Sequence, residues 1–212
     1  MRGRSHDLEG VLDTSQTAPP VVPDGGERVA DSSEVDARDE SEPTQRGDSE
    51  SDPEFPHPPY DFVDDEGRDI DVRVLDDDTQ ALVEMYHKFD QEDRAQGIPP
   101  RSESRLNSWI ETLADEGLNL VAWHGEDAVA HAVLIPMEDA RWELAIFVRS
   151  DYQEAHIGSN LMECLMGYGQ DNGVERIWLS VEEHNTVALN LYRSFGFETL
   201  SGEIEYKMER EI

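Results

Sequence analysis

Trp142-Glu143-Leu144-Ala145-Ile146-Phe147-Val148, then Arg149-Ser150-Asp151-Tyr152-Gln153-Glu154-Ala155-His156-Ile157-Gly158, then a run opening at Ser159, is the stretch that decides the fold. The first seven residues are apolar and β-rich, which predicts a strand. Leu161, Cys164, Leu165 and Tyr168 recur at helical spacing, so a helix is expected from about Ile157 to Gln170, ended by Gly173. Ile177 to Val181 reads as the next strand, and a strand–helix–strand unit of this length is a parallel crossover. The turn into the helix aims free N–H groups and the positive end of the helix dipole at one spot, a ready site for pyrophosphate. Gly158 lets backbone come close there and Ser159 adds a hydroxyl; a purely structural turn is the alternative.

Outward from the crossover the pattern is regular. Ile70, Val72 and Val74 alternate with charged residues as a first strand. A helix capped by Asp78 or Thr79 runs to about Asp90 with Leu82, Met85, Tyr86 and Phe89 on its apolar face. Ser102 opens a second helix carrying Leu106, Trp109, Ile110 and Leu113, stopped by Gly117. Leu118–Trp123 and Ala128–Pro136 are strands joined by a turn at 124–127; a short helix is expected over about Thr186–Phe195. Phe197–Leu200 and Ile204–Met208 close the chain as a hairpin. The expected class is α+β: a mixed, mostly antiparallel sheet of six to seven strands, flanked by four helices.

Residues 1–67 hold eight of the eleven prolines and no period of two or 3.6. They read as a disordered acidic extension, and 68–212 as the domain. Within the extension, Phe55, Tyr60 and Phe62 read as resting on the domain edge or as a docking motif.

The formal charge is −32, and residues 1–68 carry 19 acids against 6 arginines while the rest carries 30 against 11 basic residues. Lysine occurs only at 88 and 207. An acidic, lysine-poor surface of this kind suits molar salt, so a halophilic source is inferred. Nucleic acid is disfavoured as a partner, because no basic stripe exists to neutralise phosphates. One cysteine, Cys164, excludes an internal disulfide, and the scattered histidines support no metal site. No run approaches the length of a bilayer span, so no membrane association is expected and a cytoplasmic location is the simple reading.

Asn185-Thr186-Val187-Ala188-Leu189-Asn190-Leu191-Tyr192-Arg193-Ser194-Phe195-Gly196-Phe197 follows the second crossover strand. It resembles the N-x-x-A-x-x-L-Y-x-x-x-G-F signature of the GNAT superfamily of N-acetyltransferases. The 153–158 turn resembles that family's pyrophosphate loop, Q/R-x-x-G-x-G/A, from Gln153 to Gly158. The resemblance spans residues 69–212 and implies a splay between the 142–148 and 177–181 strands, with acetyl-CoA as co-substrate. By the same resemblance Phe147, Val148, Gln153, His156, Ile157, Gly158, Ser159, Asn185 and Tyr192 contact the cofactor. Tyr192 is the implied general acid and Glu143 the implied base. Tyr192 also fits a core position, Glu143 a solvated strand position and Asn185 a helix N-cap. His131 is an alternative base or a core histidine. The implied reaction is direct attack by a primary amine, with a protein lysine or a small amine as acceptor. A non-catalytic acyl-CoA sensor is the rival, because His156 replaces the glycine at the loop's fourth position. A monomer or homodimer is expected.

Overall fold

The computed structural model describes residues 55–76, 79–90, 98–202 and 205–212, with side chains from 201 to 205 outside the description. The elements are β1 (Tyr60–Val63), β2 (Asp69–Val74), α1 (Thr79–His87), α2 (Glu103–Glu116), β3 (Leu118–His124), β4 (Asp127–Pro136), β5 (Trp142–Val148), α3 (Ile157–Asp171), β6 (Arg176–Glu182), α4 (Thr186–Ser194), β7 (Glu198–Gly202) and β8 (Glu205–Glu211). They form one eight-stranded sheet in the order β1-β2-β3-β4-β5-β6-β8-β7. Every neighbouring pair is antiparallel except β5 and β6.

Strand alternation sends alternate residues to two separate cores. Leu144, Ile146 and Val148 join the cluster built from α3 and α4, whereas Ala145 and Phe147 join that of α1 and α2. The helices sit as their apolar periods demand. Leu106, Trp109, Ile110 and Leu113 of α2 are buried, and Ser102 caps its start by accepting from the Arg105 amide at 3.3 Å. Cys164 is buried inside α3, where burial pushes its thiol up to about 12. Phe89 is buried beyond the end of α1, which stops at His87 rather than at Asp90. Asp78 and Ile204 lie outside the described residues.

The domain begins earlier than the expected boundary at 68. β1 is a strand, paired with β2 from Tyr60↔Val72 to Val63↔Asp69, and residues 55–66 run as a strap along α3. Phe55 and Pro56 press on Gly167, His57 Nδ1 lies 2.8 Å from Asp171 Oδ2, and the Tyr60 hydroxyl donates to Asn160 Oδ1 at 3.3 Å. Farther along, the Asp65 amide donates to the Ala155 carbonyl at 3.4 Å. The prolines that remove helical period here are compatible with an extended strap, and the aromatics of that strap pack on the larger core. The part of the expected extension before residue 55 lies outside the described residues.

Gly167 lets the strap seat. A Cβ there would stand 2.4 Å from the Pro56 carbonyl oxygen, which is backbone and cannot swing aside. Gly167→Ala should therefore lower stability by about 1–3 kcal/mol, despite the roughly 1 kcal/mol that alanine gains over glycine in a helix. The midpoint of urea unfolding checks this, and an unchanged midpoint removes the strap's claim to close packing.

Candidate active site

β5 and β6 pair only at Trp142↔Ile177 and Glu143↔Trp178. Beyond those pairs, Leu144–Val148 of β5 and Ser180–Glu182 of β6 line the two sides of a cleft of about 730 Å³. The start of α3 and the start of α4 complete its walls. Glu143, Phe147, Val148, Gln153, His156, Ile157, Gly158, Ser159, Asn185 and Tyr192, the ten residues singled out from the sequence, all line this cleft.

The two cores sort the lining into halves. Leu144, Ile146, Val148, Ile157, Val181, Leu191 and Tyr192 belong to the α3/α4 side. Phe147, Ala145 and Ile98 belong with Phe89 to the α1/α2 side. By strand alternation Glu143 shares that second face with Phe147, and Ser180 and Glu182 share it with Trp178. The cleft thus passes through the sheet from one helical layer to the other.

On the α3 side the polar groups offered to the cleft are backbone. The N-cap of α3 is His156, whose side chain makes no capping bond. The first N–H groups of an α-helix have no partner within it, so those of Ile157, Gly158 and Ser159 are left for a ligand. His156 takes φ 60° and ψ 11°, a left-handed conformation that costs a residue with a Cβ roughly 1–2 kcal/mol. Its Nδ1 lies 2.5 Å from Asp65 Oδ2, so the strap holds the imidazole. That answers how histidine replaces glycine here: the backbone keeps the glycine-like shape, and the ring pairs with a carboxylate. Gly158 has an ordinary φ, and a Cβ on it would meet Val148 and Leu191 only at 3.7 and 3.9 Å. Packing therefore does not demand glycine at 158, and the space it leaves opens on the cleft. Gln153 donates from Nε2 to the Val148 carbonyl at 2.9 Å and so ties the loop to the end of β5.

Asn185 is the N-cap of α4, with Oδ1 accepting from the Ala188 amide at 3.1 Å. Tyr192 is both a core residue and a cleft residue: it is buried, packs against Phe197 and lines the opening. Burial pushes its phenol well above the usual value, so it stays a proton donor throughout the working pH range.

His131 does not reach the cleft. It is fully buried, with Nδ1 2.5 Å from the Tyr86 hydroxyl and Nε2 3.0 Å from Asn119 Oδ1. Asn119 in turn donates to the Leu113 and Gly117 carbonyls, which fixes its oxygen towards the ring. Nε2–H is then the donor and Nδ1 the acceptor, and His131 is a satisfied core histidine that stacks on Phe147. Glu182 and Tyr152 also line the cleft and were missed from the sequence; period-two alternation about Ile177, Leu179 and Val181 would have placed Glu182 on the right face. Among the described residues, no group of three His, Cys, Asp or Glu is placed to share a metal ion. No helix there is long and apolar enough to cross a membrane.

Residues 79–197 match the model of the acetyltransferase (GNAT) family, and the chain belongs to that family. It is 31% identical over 120 residues to the [ribosomal protein bS18]-alanine N-acetyltransferase of Escherichia coli K12, a match covering 57% of this chain and 76% of that one. Among solved structures it is similar to the GNAT domain of S. lividans PAT, with TM-score 0.61 and 16% identity over 72% of this chain and 96% of that one. It is also similar to the PaiA N-acetyltransferase of Thermoplasma acidophilum in complex with coenzyme A, with TM-score 0.53 and 20% identity, covering 68% and 99%. These two likenesses concern the fold.

Burial holds the His131 imidazole down to about 3, whereas an unfolded histidine titrates near 6.5. Between those values the unfolded chain binds the extra proton, so acid favours unfolding. Relative to His131→Gln, the wild type should lose about 1.4 kcal/mol of stability per pH unit from roughly pH 6 to 4. Paired urea titrations across that range read the difference, and parallel pH curves would refute the buried neutral ring.

Proposed function

We propose that this chain transfers the acetyl group of acetyl-CoA to a primary amine by direct attack, with the amino terminus of a protein as acceptor. The observation that carries this reading is the cleft itself. It has unpartnered helix N–H groups on one face of the sheet and carboxylates on the other, joined through the gap between β5 and β6. The amides of Ile157, Gly158 and Ser159 hold the pyrophosphate. The pantetheine arm lies along Phe147 and Val148, and Asn185 fixes the wall opposite. The acceptor enters from the α1/α2 side. Its neutral nitrogen attacks the thioester carbon, the C–S bond breaks, and backbone N–H of β5 stabilises the oxyanion. Glu143, directly or through water, takes the proton that leaves the ammonium, and Tyr192 supports the departing thiolate. No covalent enzyme intermediate is required.

The family membership supports acetyl transfer, and the alanine named for the E. coli relative supports an α-amine over a lysine. Chemistry points the same way. An α-amine has a pKa of about 8 against about 10.4 for lysine, so a half-buried glutamate has less to do. A lysine side chain is the second reading, and the likeness in fold to the GNAT domain of S. lividans PAT leaves both acceptors open.

Release of thiol from acetyl-CoA, followed across alanine-initiated peptides, lysine peptides and polyamines, tests the proposal. Saturable cofactor binding with no release on any amine refutes it and favours a sensor. Tyr192→Phe should lower kcat by about a hundredfold with cofactor affinity kept, and an unaltered rate removes its role. Gly158→Ala should weaken acetyl-CoA binding without lowering the urea midpoint, since packing leaves room for a Cβ. Among the described residues no Lys or Arg lines the cleft, whereas Glu143, Glu154 and Glu182 do. Acetyl-CoA, an anion, should therefore bind about tenfold tighter near 2 M KCl than near 0.1 M. Calorimetry showing the opposite trend overturns the electrostatic part of the model.

A further inference from the structure

β5 and β6 leave their two shared pairs, Trp142↔Ile177 and Glu143↔Trp178, in parallel register. Counting forward along both strands brings Ala145 level with Ser180 and Phe147 level with Glu182. At about 3.3 Å per residue, Glu182 stands roughly 13 Å beyond the closed end where Glu143 sits. Ile177, Leu179 and Val181 are buried in the α3-side core, so Glu182 is on the other face with Phe147 and Glu143. There it lines the cleft, to which Phe89, Ile98 and Phe147 contribute the apolar surface of the α1/α2 side. Its side chain is 27% exposed, and its Oε2 lies 3.3 Å from Nε2 of the exposed His184.

The charges around it are one-sided. Among the described residues, Glu143 and Glu154 are the other carboxylates on the cleft, and neither a lysine nor an arginine lines it. Lys207 is paired in register with Ser180, yet its ammonium sits 5.8 Å over the ring of Trp178, towards the closed end. Arg141 lies over the same ring at 5.6 Å. The open end of the acceptor half therefore offers a carboxylate and an imidazole, while Lys207 and Arg141 are held at the closed end.

We propose that Glu182 determines acceptor specificity: it receives the incoming amine as its ammonium at the height of Phe147 and turns away acceptors that carry a carboxylate beside that amine. This rests on the transfer reaction proposed above and adds the class of acceptor, a cationic amine followed by neutral or basic groups. The ammonium docks on Glu182 as it enters, then moves down the cleft towards Glu143, where it is deprotonated for attack. One proton is released overall, and the other nitrogen proton ends on the CoA thiol. His184, 3.3 Å away, is a positioning residue that holds the carboxylate over the opening.

Steady-state kinetics with two peptide amides, Ala-Arg-Gly-Gly and Ala-Glu-Gly-Gly, test this in the wild type and in Glu182→Gln, over a range of pH. The wild type should favour the arginine peptide by a factor of about ten or more in kcat/KM. Glu182→Gln should raise KM for that peptide about tenfold below pH 8, spare kcat, and leave acetyl-CoA affinity no weaker. The defect should shrink as the amine loses its charge at higher pH, a trend that a merely structural lesion would not produce. Glu143→Gln should instead act on kcat. A KM within twofold of wild type, a pH-independent defect, or equal use of both peptides overturns the assignment while leaving acetyl transfer standing. Absence of transfer in the wild type, with cofactor bound, overturns the reaction and this assignment together.

Discussion

The parallel ladder between β5 and β6 ends after two pairs, and the rest of the site depends on that ending. Each strand keeps its other neighbour: β5 is paired with β4 from Ala130↔Val148 to Pro136↔Trp142, and β6 with β8 along its whole length. The sheet therefore stays continuous while two inner edges face each other across a gap. Backbone N–H and C=O groups in such a gap must find partners, and a polar extended ligand supplies them as a third strand does. α3 begins just past the end of β5, and α4 just past the end of β6, so both helix starts converge on the wide end. One interruption in pairing thus creates the slot and aims two helices at its mouth.

Much of this was legible in the sequence because it is local. The 142–148 strand, the helix from Ile157 and the α4 stretch from Asn185 to Phe197 each declare themselves by period, caps and glycine placement. The residues named for the site fall around one cleft for the same reason, since a strand end and a helix start determine where they go. What escaped is long-range. The strap at 55–66 has no period to read, and its meaning lies in Gly167, more than a hundred residues away. Glu182 could be placed on a face by alternation, but its height against Phe147 needs the strand register. His156 shows the third kind of difficulty: its deviation from glycine is absorbed by backbone conformation and by Asp65, and neither is written in the loop itself.

The electrostatics of the cleft fit the composition of the whole chain. A protein with −32 formal charge has few cations to spend, and those near the loop are already committed. Arg149 is paired with Asp151 at 2.6 Å, Arg68 with Asp64 at 2.6 Å, and both guanidinium groups cover the ring of Tyr152. On the reading proposed above, anion binding falls to amides and a helix dipole, which carry no formal charge and do not disturb an acidic surface.

Anyone trimming this gene to the family-matched portion, 79–197, would discard β1, β2 and the strap at one end and β7 and β8 at the other. The outer flank of α3 beside Gly167 and Asn160 would then be stripped to water, and β3 and β6 would each become a raw border with one side unpaired. Recombinant versions cut there are candidates for clumping in the tube, and a clone that starts ahead of Phe55 is the safer one to make.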